Sequence, residues 1–234
     1  MAALALLTLP QAEERAAGSQ CAACHEAAGS SVKYLQHTLE DWQHSPHAKA
    51  GVGCETCHGG QPQETDPMKA HQGVKRSTEA SSPVYYRNLP ETCGRCHEGE
   101  KQAFLKSSHY RVLQRTGKGP TCTTCHGTMA ATVLSPKALK QTCNLCHKKP
   151  VGAQETLLIM NQSAELFRVA EEAVAETKAK GGDVIHLEQD IQEGRKGLQD
   201  AAREWHTFNL EKVKRHAIQV FEKAKAVRAK VRRP

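Results

Sequence analysis

All ten cysteines of the chain belong to five copies of one pattern, Cys-x-x-Cys-His. Two thiols three positions apart can form thioethers to the two vinyl groups of one haem, and the histidine that follows can bind the iron as its proximal ligand. The pattern therefore predicts five covalently attached c-type haems. The predicted attachment residues are Cys21, Cys24 and His25; Cys54, Cys57 and His58; Cys93, Cys96 and His97; Cys122, Cys125 and His126; and Cys143, Cys146 and His147.

Two other chemistries also use paired cysteines. A Cys-x-x-Cys pair can be half of a zinc site or a redox-active disulfide. A zinc site would combine two such pairs and would not require a histidine directly after the second cysteine. A disulfide framework would not repeat a single spacing five times. The repetition in this sequence therefore favours haem attachment over both.

Histidines outside the motifs are candidates for the second axial ligand of each iron. The sequence has 13 histidines, and the eight that lie outside the motifs are enough to give all five irons bis-histidine ligation. Each could instead be a solvated imidazole or, in the C-terminal helices, a packing residue. The predicted distal ligands are His47, His109, His71, His37 and His206, with His44 as a further candidate.

An internal repeat organises the motif region and supports two of these candidates. The first and second motifs flank Ser45-Pro46-His47, and the third and fourth motifs flank Ser108-His109. A shorter third unit repeats Leu89-Pro90-Glu91-Thr92-Cys93 as Leu139-Lys140-Gln141-Thr142-Cys143. The repeat predicts two haem pairs and a fifth haem.

The motifs are too dense for each haem to have its own globular domain, since there is roughly one motif per 25 residues. Only 4% of the residues are aromatic, so the side chains alone would give a thin core. We therefore expect the haems to pack against one another and to supply much of the core. The predicted fold is mainly α with much irregular structure, a haem-packed multihaem cytochrome c array followed by long C-terminal helices.

After about Pro150 the cysteine motifs stop and helical periodicity begins. Apolar spacing predicts helices over Ser163–Lys180, from an N-cap at Asp183 to Trp205, and over Leu210–Val231, forming a helical hairpin or a three-helix unit. Gly194 and Gly197 should weaken the second of these helices. The predicted organisation is a truncated signal segment at 1–17, a pentahaem domain at 18–150 and a helical unit at 151–234.

The chain resembles the multihaem cytochrome c superfamily that includes cytochrome c nitrite reductase, hydroxylamine oxidoreductase and small electron-transfer cytochromes. The resemblance covers roughly the first two thirds and is carried by Trp42, Ser45-Pro46-His47-Ala48, Cys54–Gly59, Cys93–His97, Ser108-His109 and Cys122–Gly127. It implies haem c cofactors with bis-histidine ligation, C-terminal helices that cap the haem array, and possible homo-oligomers through those helices.

Departures from these enzymes favour an electron carrier. Nitrite reductases of this group have lysine in place of one motif histidine, whereas all five motifs end in histidine here. Hydroxylamine oxidoreductases carry more haems and a crosslinked tyrosine in the C-terminal helices, and none of Tyr34, Tyr85, Tyr86 and Tyr110 lies there. The main hypothesis is an electron relay without a catalytic residue. The alternatives are an oxidoreductase with one open haem acting on a small nitrogen or sulfur oxyanion, and a structural redox subunit or filament protomer.

The expected location and partners follow from this chemistry. Haem attachment to Cys-x-x-Cys-His takes place outside the bacterial cytoplasm, so a periplasmic or extracellular location is expected, and no transmembrane anchor is expected in the mature chain. The expected partners are a quinol-linked donor and a terminal reductase. The basic stretch from Lys212 to Pro234 is either a solvated helix face or a docking surface for an acidic partner or an anionic membrane. Nucleic-acid binding is not expected, since no binding motif accompanies the charge.

Overall fold

The computed structural model of the chain describes residues 20–28, 39–148 and 152–231. The described part is built from helices, turns and irregular segments and contains no β-strand. The mainly α fold predicted from the sequence is confirmed. In chain order the helices are α1 (Gln20–Ala28), α2 (Pro46–Lys49), α3 (Cys54–His58), α4 (Pro67–Ala70), α5 (Leu89–Gly94), α6 (Glu98–Leu105), α7 (Ser108–Thr116), α8 (Cys122–His126), α9 (Pro136–Asn144), α10 (Ala153–Ala179), α11 (Ile185–Trp205) and α12 (Leu210–Val231).

The chain divides into two compact units. Unit 1 contains the described residues up to Arg95 together with Thr121–Val133, and unit 2 contains Cys96–Pro120 and the described residues from Leu134 onward. The segments that carry the last part of the third motif and the whole fifth motif thus belong to the same unit as the long helices. The boundaries predicted from composition at residues 17 and 150 lie outside the described residues and stay predictions.

A capping serine begins three of the short helices in the same way. Ser45, Ser107 and Ser135 are the N-caps of α2, α7 and α9, and each hydroxyl accepts a hydrogen bond from the backbone N–H three residues later, at 3.0–3.2 Å. This bond satisfies one of the free N–H groups at a helix start. Ser45 and Ser107 are each only 1% exposed, so in these two helices the cap bond also satisfies a buried hydroxyl oxygen.

The long helices α10, α11 and α12 form a three-helix bundle in unit 2, one of the two forms that the sequence predicted. The buried positions of α12 are Val213, Ala217, Val220, Ala224 and Val227, which follow a spacing of four and three residues. Such spacing places one stripe of each helix against its neighbours, as in a coiled coil. The predicted bounds of this helix, Leu210–Val231, match the structure.

The first bundle helix begins well before the predicted start at Ser163. Its buried positions follow the spacing of three and four residues from Ala153 through Thr156, Met160 and Ser163 to Phe167. Two of these positions, Thr156 and Ser163, are polar, so apolar periodicity alone does not predict this part of the helix. Their hydroxyls donate to the carbonyls four residues earlier, Gly152 and Ile159, at 2.7 and 2.8 Å, and are thereby satisfied inside the bundle.

The second bundle helix differs from its prediction at its start and in its middle. Val184 occupies the N-cap position, and Asp183 instead accepts from the N–H of Ile185 at 3.2 Å. Gly194 is not a weak point, because the ring of the fully buried Phe167 lies directly against it: a Cβ added there would lie 2.1 Å from the Phe167 Cζ atom. The glycine allows α10 and α11 to approach closely.

Replacement of Gly194 by alanine should therefore destabilise the bundle. The clash with Phe167 is expected to lower the free energy of unfolding by about 1–3 kcal/mol, the usual range for overpacking a core. Gly197→Ala is the matched control, because its Cβ would meet only Val220 Cγ2 at 3.2 Å. Alanine is a better helix former than glycine by up to about 1 kcal/mol, so this variant should be neutral or more stable. Urea unfolding followed by circular dichroism measures both, and equal stability of the two variants would contradict the packing argument.

Candidate functional site

The five motifs adopt three local structures. The second and fourth motifs are themselves short helices, α3 and α8, each starting at the first cysteine and ending at the histidine. The third and fifth motifs begin inside the last turn of helices α5 and α9, which end one residue after the first cysteine. The first motif lies inside α1. The repeated Leu-to-Cys segments noted in the sequence therefore both form a helix that ends within a motif.

A glycine closes each of the two helical motifs. Gly59 and Gly127 follow the motif histidines with φ values of 76° and 78°, and their N–H groups donate to the carbonyls of Glu55 and Thr123 at 2.8 and 3.0 Å. Only glycine adopts this extended conformation at positive φ without strain. The closure turns the chain away immediately after the histidine.

Unit 1 brings motifs together in pairs through their first cysteines. Helix α1 packs against α3, and helix α5 packs against α8. Burial, followed by the nearness of Cys21, raises the pKa of the Cys54 thiol to about 11. Cys93 donates a hydrogen bond to Cys122, which raises the pKa of Cys93 and lowers that of Cys122. All ten cysteines are free thiols, so none is used in a disulfide.

His71 faces the histidine of the first motif. The ring centroids of His25 and His71 are 6.0 Å apart. Nδ1 of His71 bonds to the carbonyl oxygen of Pro67 at 2.7 Å, and since a carbonyl can only accept, Nδ1 must carry the proton. The lone pair is then on Nε2, which is the arrangement found in metal-binding histidines whose other nitrogen is held by a backbone carbonyl.

His109 faces the histidine of the fifth motif in unit 2. The ring centroids of His109 and His147 are 5.8 Å apart, and the ring of Phe208 lies edge-on against His109 at 4.3 Å. Burial, followed by the nearness of His147, lowers the pKa of His109. The imidazole is therefore held neutral, the form that binds a metal.

The two centroid separations agree with one requirement of a shared metal ion, the distance between the rings. Imidazole nitrogens bind metals at about 2 Å, so two rings on opposite sides of one ion have centroids roughly 6 Å apart. The values of 6.0 and 5.8 Å agree with this distance. In both pairs one histidine comes from a motif and the other from outside the motifs. Among the described residues, no group of three or more His, Cys, Asp or Glu side chains converges on a single metal position.

The remaining predicted distal ligands are His47, His206 and His37. His47 is the second residue of α2 and follows the buried capping serine Ser45, just as His109 is the second residue of α7 and follows Ser107. His206 is half-buried and its Nδ1 donates to the carbonyl of Ala202 at 3.0 Å. His37 lies outside the described residues.

His44 lines a cleft of about 270 Å³ together with Glu40, Asp41, Ala130 and Thr132, all in unit 1. Its Nδ1 donates to the carbonyl of Glu40 at 2.8 Å, which leaves the lone pair on Nε2. The carbonyl of Thr132 accepts from Nδ1 of His126 at 3.0 Å, so the same segment orients the motif histidine of α8.

The sequence analysis did not single out two residues: Lys137, in a third copy of the serine-capped helix, and Phe208, which contacts His109. In the third copy, Lys137 stands at the position that His47 and His109 occupy in the other two, so this copy supplies no imidazole. The signal was present as Ser135-Pro136-Lys137-Ala138, which parallels Ser45-Pro46-His47-Ala48. No sequence signal indicates the contact of Phe208 with His109, because it joins residues far apart in the chain.

Unit 1 has almost no apolar core made from its own side chains. The buried hydrophobic residues of this unit in the described part are Trp42 and Ala48, and Pro90 is also buried. A unit of this size normally buries a continuous set of apolar side chains. Its free thiols and the paired imidazoles of His25 and His71 fit large apolar groups that are attached through cysteine and ligated by histidine.

The basic charge of the last helix is used largely within the bundle. Five lysines of α12 form ion pairs, four of them with carboxylates of α10 or α11; the pairs are Lys212–Glu204, Lys214–Glu155, Lys223–Glu193, Lys225–Glu222 and Lys230–Asp190. Exposed pairs of this kind stabilise by at most about 1 kcal/mol each. Their charge is locally compensated, which weakens the interpretation of this stretch as a docking surface.

Comparison with known proteins relates the chain to multihaem c-type cytochromes. It is 31% identical over 116 residues to the C-type polyheme cytochrome OmcB of Geobacter sulfurreducens, a match that covers 46% of this chain and 13% of OmcB. It is 26% identical over 164 residues to the multiheme cytochrome MtrA of Shewanella baltica, covering 58% of this chain and 44% of MtrA. The chain thus spans less than half the length of either relative. No family model and no solved structure matches it. None of the described helices is long and apolar enough to cross a membrane.

Proposed function

We propose that this protein is an electron-transfer protein with five covalently bound c-type haems, attached at the five motifs and ligated by two histidines each. The kinship with multihaem cytochromes supports electron transfer as the role. Two pairs of imidazoles carry the finer proposal, His25 with His71 and His147 with His109. In each pair, a motif histidine lies at the distance from a histidine outside the motifs that a shared iron requires. Haem supplies one-electron redox chemistry when bound.

Each part of the chain has a distinct task in this proposal. The motif cysteines would hold the haems, and His25 and His147 would each supply the motif ligand of one haem. His71 and His109 would supply the second ligands of the same two haems. His47, His37 and His206 are the proposed distal ligands of the remaining irons, and their pairing with particular motifs is left open.

Close spacing of the motifs supports a relay. The contacts of α1 with α3 and of α5 with α8 bring the attachment points of neighbouring rings together within unit 1. Short distances between haems would allow electrons to pass from one haem to the next along the array.

We further propose that the protein works in the periplasm or outside the cell. It would exchange electrons with a quinol-linked donor and a terminal reductase, and the bundle helices would mediate homo-oligomers.

Optical and EPR spectra of the purified protein, before and after addition of cyanide, nitrite or hydroxylamine, test the proposal. The mass of the intact chain should exceed that of the polypeptide by five haems. All five irons should be low spin and should not respond to the added ligands. One high-spin iron that binds them would instead favour an oxidoreductase with an open haem, and fewer haems in the mass spectrum would contradict the count.

A further inference from the structure

The turn between α11 and α12 holds Phe208 in an unusual backbone conformation. Its φ is 55°, and it is one of two non-glycine residues with positive φ in the part of the chain that is described. Aromatic residues seldom adopt this left-handed conformation because of a clash at Cβ. The turn around it is well defined: the N–H of Phe208 donates to the carbonyl of Trp205 at 2.8 Å, and Asn209 Oδ1 accepts from the N–H of Lys212 at 3.2 Å. Strain that is held in this way often accompanies a functional constraint.

The conformation directs the Phe208 ring onto His109. The two rings meet edge to face with centroids 4.3 Å apart, and Phe104 of α6 supports Phe208 from another side at 6.5 Å. Phe104 in turn lies edge-on to Tyr110, the neighbour of His109 in α7, at 5.7 Å. Aromatic contacts of this geometry add to the energy of burial and restrict the angles of the rings. A residue of the bundle thus defines one side of the His109 imidazole.

His109 lacks the hydrogen bond that orients the other candidate ligand. Nδ1 of His71 is fixed by the carbonyl of Pro67, whereas Nδ1 of His109 is buried and has no hydrogen-bond partner among the described residues. Metal-binding histidines usually rely on such a bond to set the direction of the ring. In its absence, packing is the remaining source of orientation, and the nearest ring is that of Phe208.

We propose that Phe208 is a positioning residue that holds the His109 imidazole opposite His147, taking the place of the hydrogen bond that metal-bound histidines usually make. The inference rests on the proposed function, since it assumes that His109 and His147 ligate one haem iron. The strained backbone of Phe208 is then the means by which the bundle keeps this ligand in place. The iron that His109 binds should accordingly depend on a residue of the α11–α12 turn, unlike the iron that His71 binds.

The test compares EPR spectra and cyanide binding of the haem-loaded variants. His109→Ala identifies the low-spin signal of the iron in question, which should be replaced by one high-spin haem per chain. Phe208→Asn removes the ring but keeps a residue that tolerates positive φ. It should shift or broaden that same signal and produce a fraction of cyanide-bound haem under conditions in which the wild-type protein binds none. Phe208→Tyr should restore the wild-type spectrum, because it retains the ring.

Controls separate positioning from a general loss of structure. Phe221→Leu removes a half-buried ring of the same bundle that does not contact a histidine ring in the described structure, and it should leave every haem signal unchanged. Phe208→Gly, which relieves the backbone strain fully, should behave like Phe208→Asn. If His109→Ala removes one low-spin signal while Phe208→Asn and Phe208→Gly leave it intact, the positioning role is wrong and the ligand assignment stands. If His109→Ala changes no signal, the ligand assignment itself fails, and the inference fails with it. Equal changes at all haems would also overturn the inference.

Discussion

Replacement of His71 by alanine is expected to convert one haem from low spin to high spin. The expectation rests on the 6.0 Å separation of the His25 and His71 rings and on the bond from Nδ1 of His71 to the carbonyl of Pro67, which leaves Nε2 free to bind a metal. Loss of the nitrogen donor should open the iron to cyanide or carbon monoxide. Its reduction potential should rise by on the order of 0.1 V, within the range that axial ligands control. EPR, ligand titration and a spectroelectrochemical titration measure these three changes.

The position of His71 makes this result easy to interpret. The side chain is exposed and contributes no buried apolar packing, so a change in the spectra reports on ligation and not on a cavity in a core. His186→Ala is the matched control, since it removes an exposed imidazole from α11. A His71→Ala protein whose five irons all remain low spin would show that His71 is not a ligand.

The second large effect is expected when haem attachment is prevented. In a chain produced without haem, residues 39–95 should remain unfolded while α10, α11 and α12 fold. The bundle has its own core around Phe167, whereas the buried apolar side chains in the described part of unit 1 are Trp42, Ala48 and Pro90. Complete burial of one large apolar side chain stabilises by about 1.5–3 kcal/mol, and ordering each backbone residue costs about 1–2 kcal/mol. The side chains of unit 1 cannot offset that cost.

Hydrogen exchange measured by mass spectrometry distinguishes the two regions. Amides of residues 39–95 should exchange at unfolded rates in the haem-free chain and slowly in the loaded protein. Amides of α10–α12 should be protected in both. The Gly194→Ala variant provides an internal check, because it should lower the melting temperature of the bundle in the haem-free chain as well. Slow exchange of residues 39–95 without haem would mean that unit 1 folds without these groups.

The sequence predicts the attachment residues, because covalent attachment at two vinyl groups requires a fixed spacing along the chain. It also identified helix α12, whose buried stripe consists of valine and alanine alone. The start of α10 was missed because Thr156 and Ser163 occupy buried positions of its stripe. Whether a hydroxyl can be buried depends on its hydrogen bond to the preceding turn, and hydrophobic periodicity does not record that bond.

For the candidate distal histidines, the sequence does not predict which motif each one contacts. His71 and His109 were selected as candidates from their place beside the motifs and within the repeat, yet their motif partners were not predictable. His71 lies against the first motif although it follows the second in the chain, and His109 lies against the fifth although the fourth is nearer in sequence. The importance of Gly194 was likewise visible only once the ring of Phe167 was seen against it.

The sequence by itself thus predicts the chemistry of this protein, since thioether formation and proximal ligation would use residues that are neighbours in the chain. The tertiary structure alone decided that His25 faces His71, that His147 faces His109, and that Phe208 lies against His109. These contacts join residues separated by tens of positions, and they exist because helix packing and turns bring distant segments together. Local spacing holds no record of such distances, so they can be read only from the folded chain.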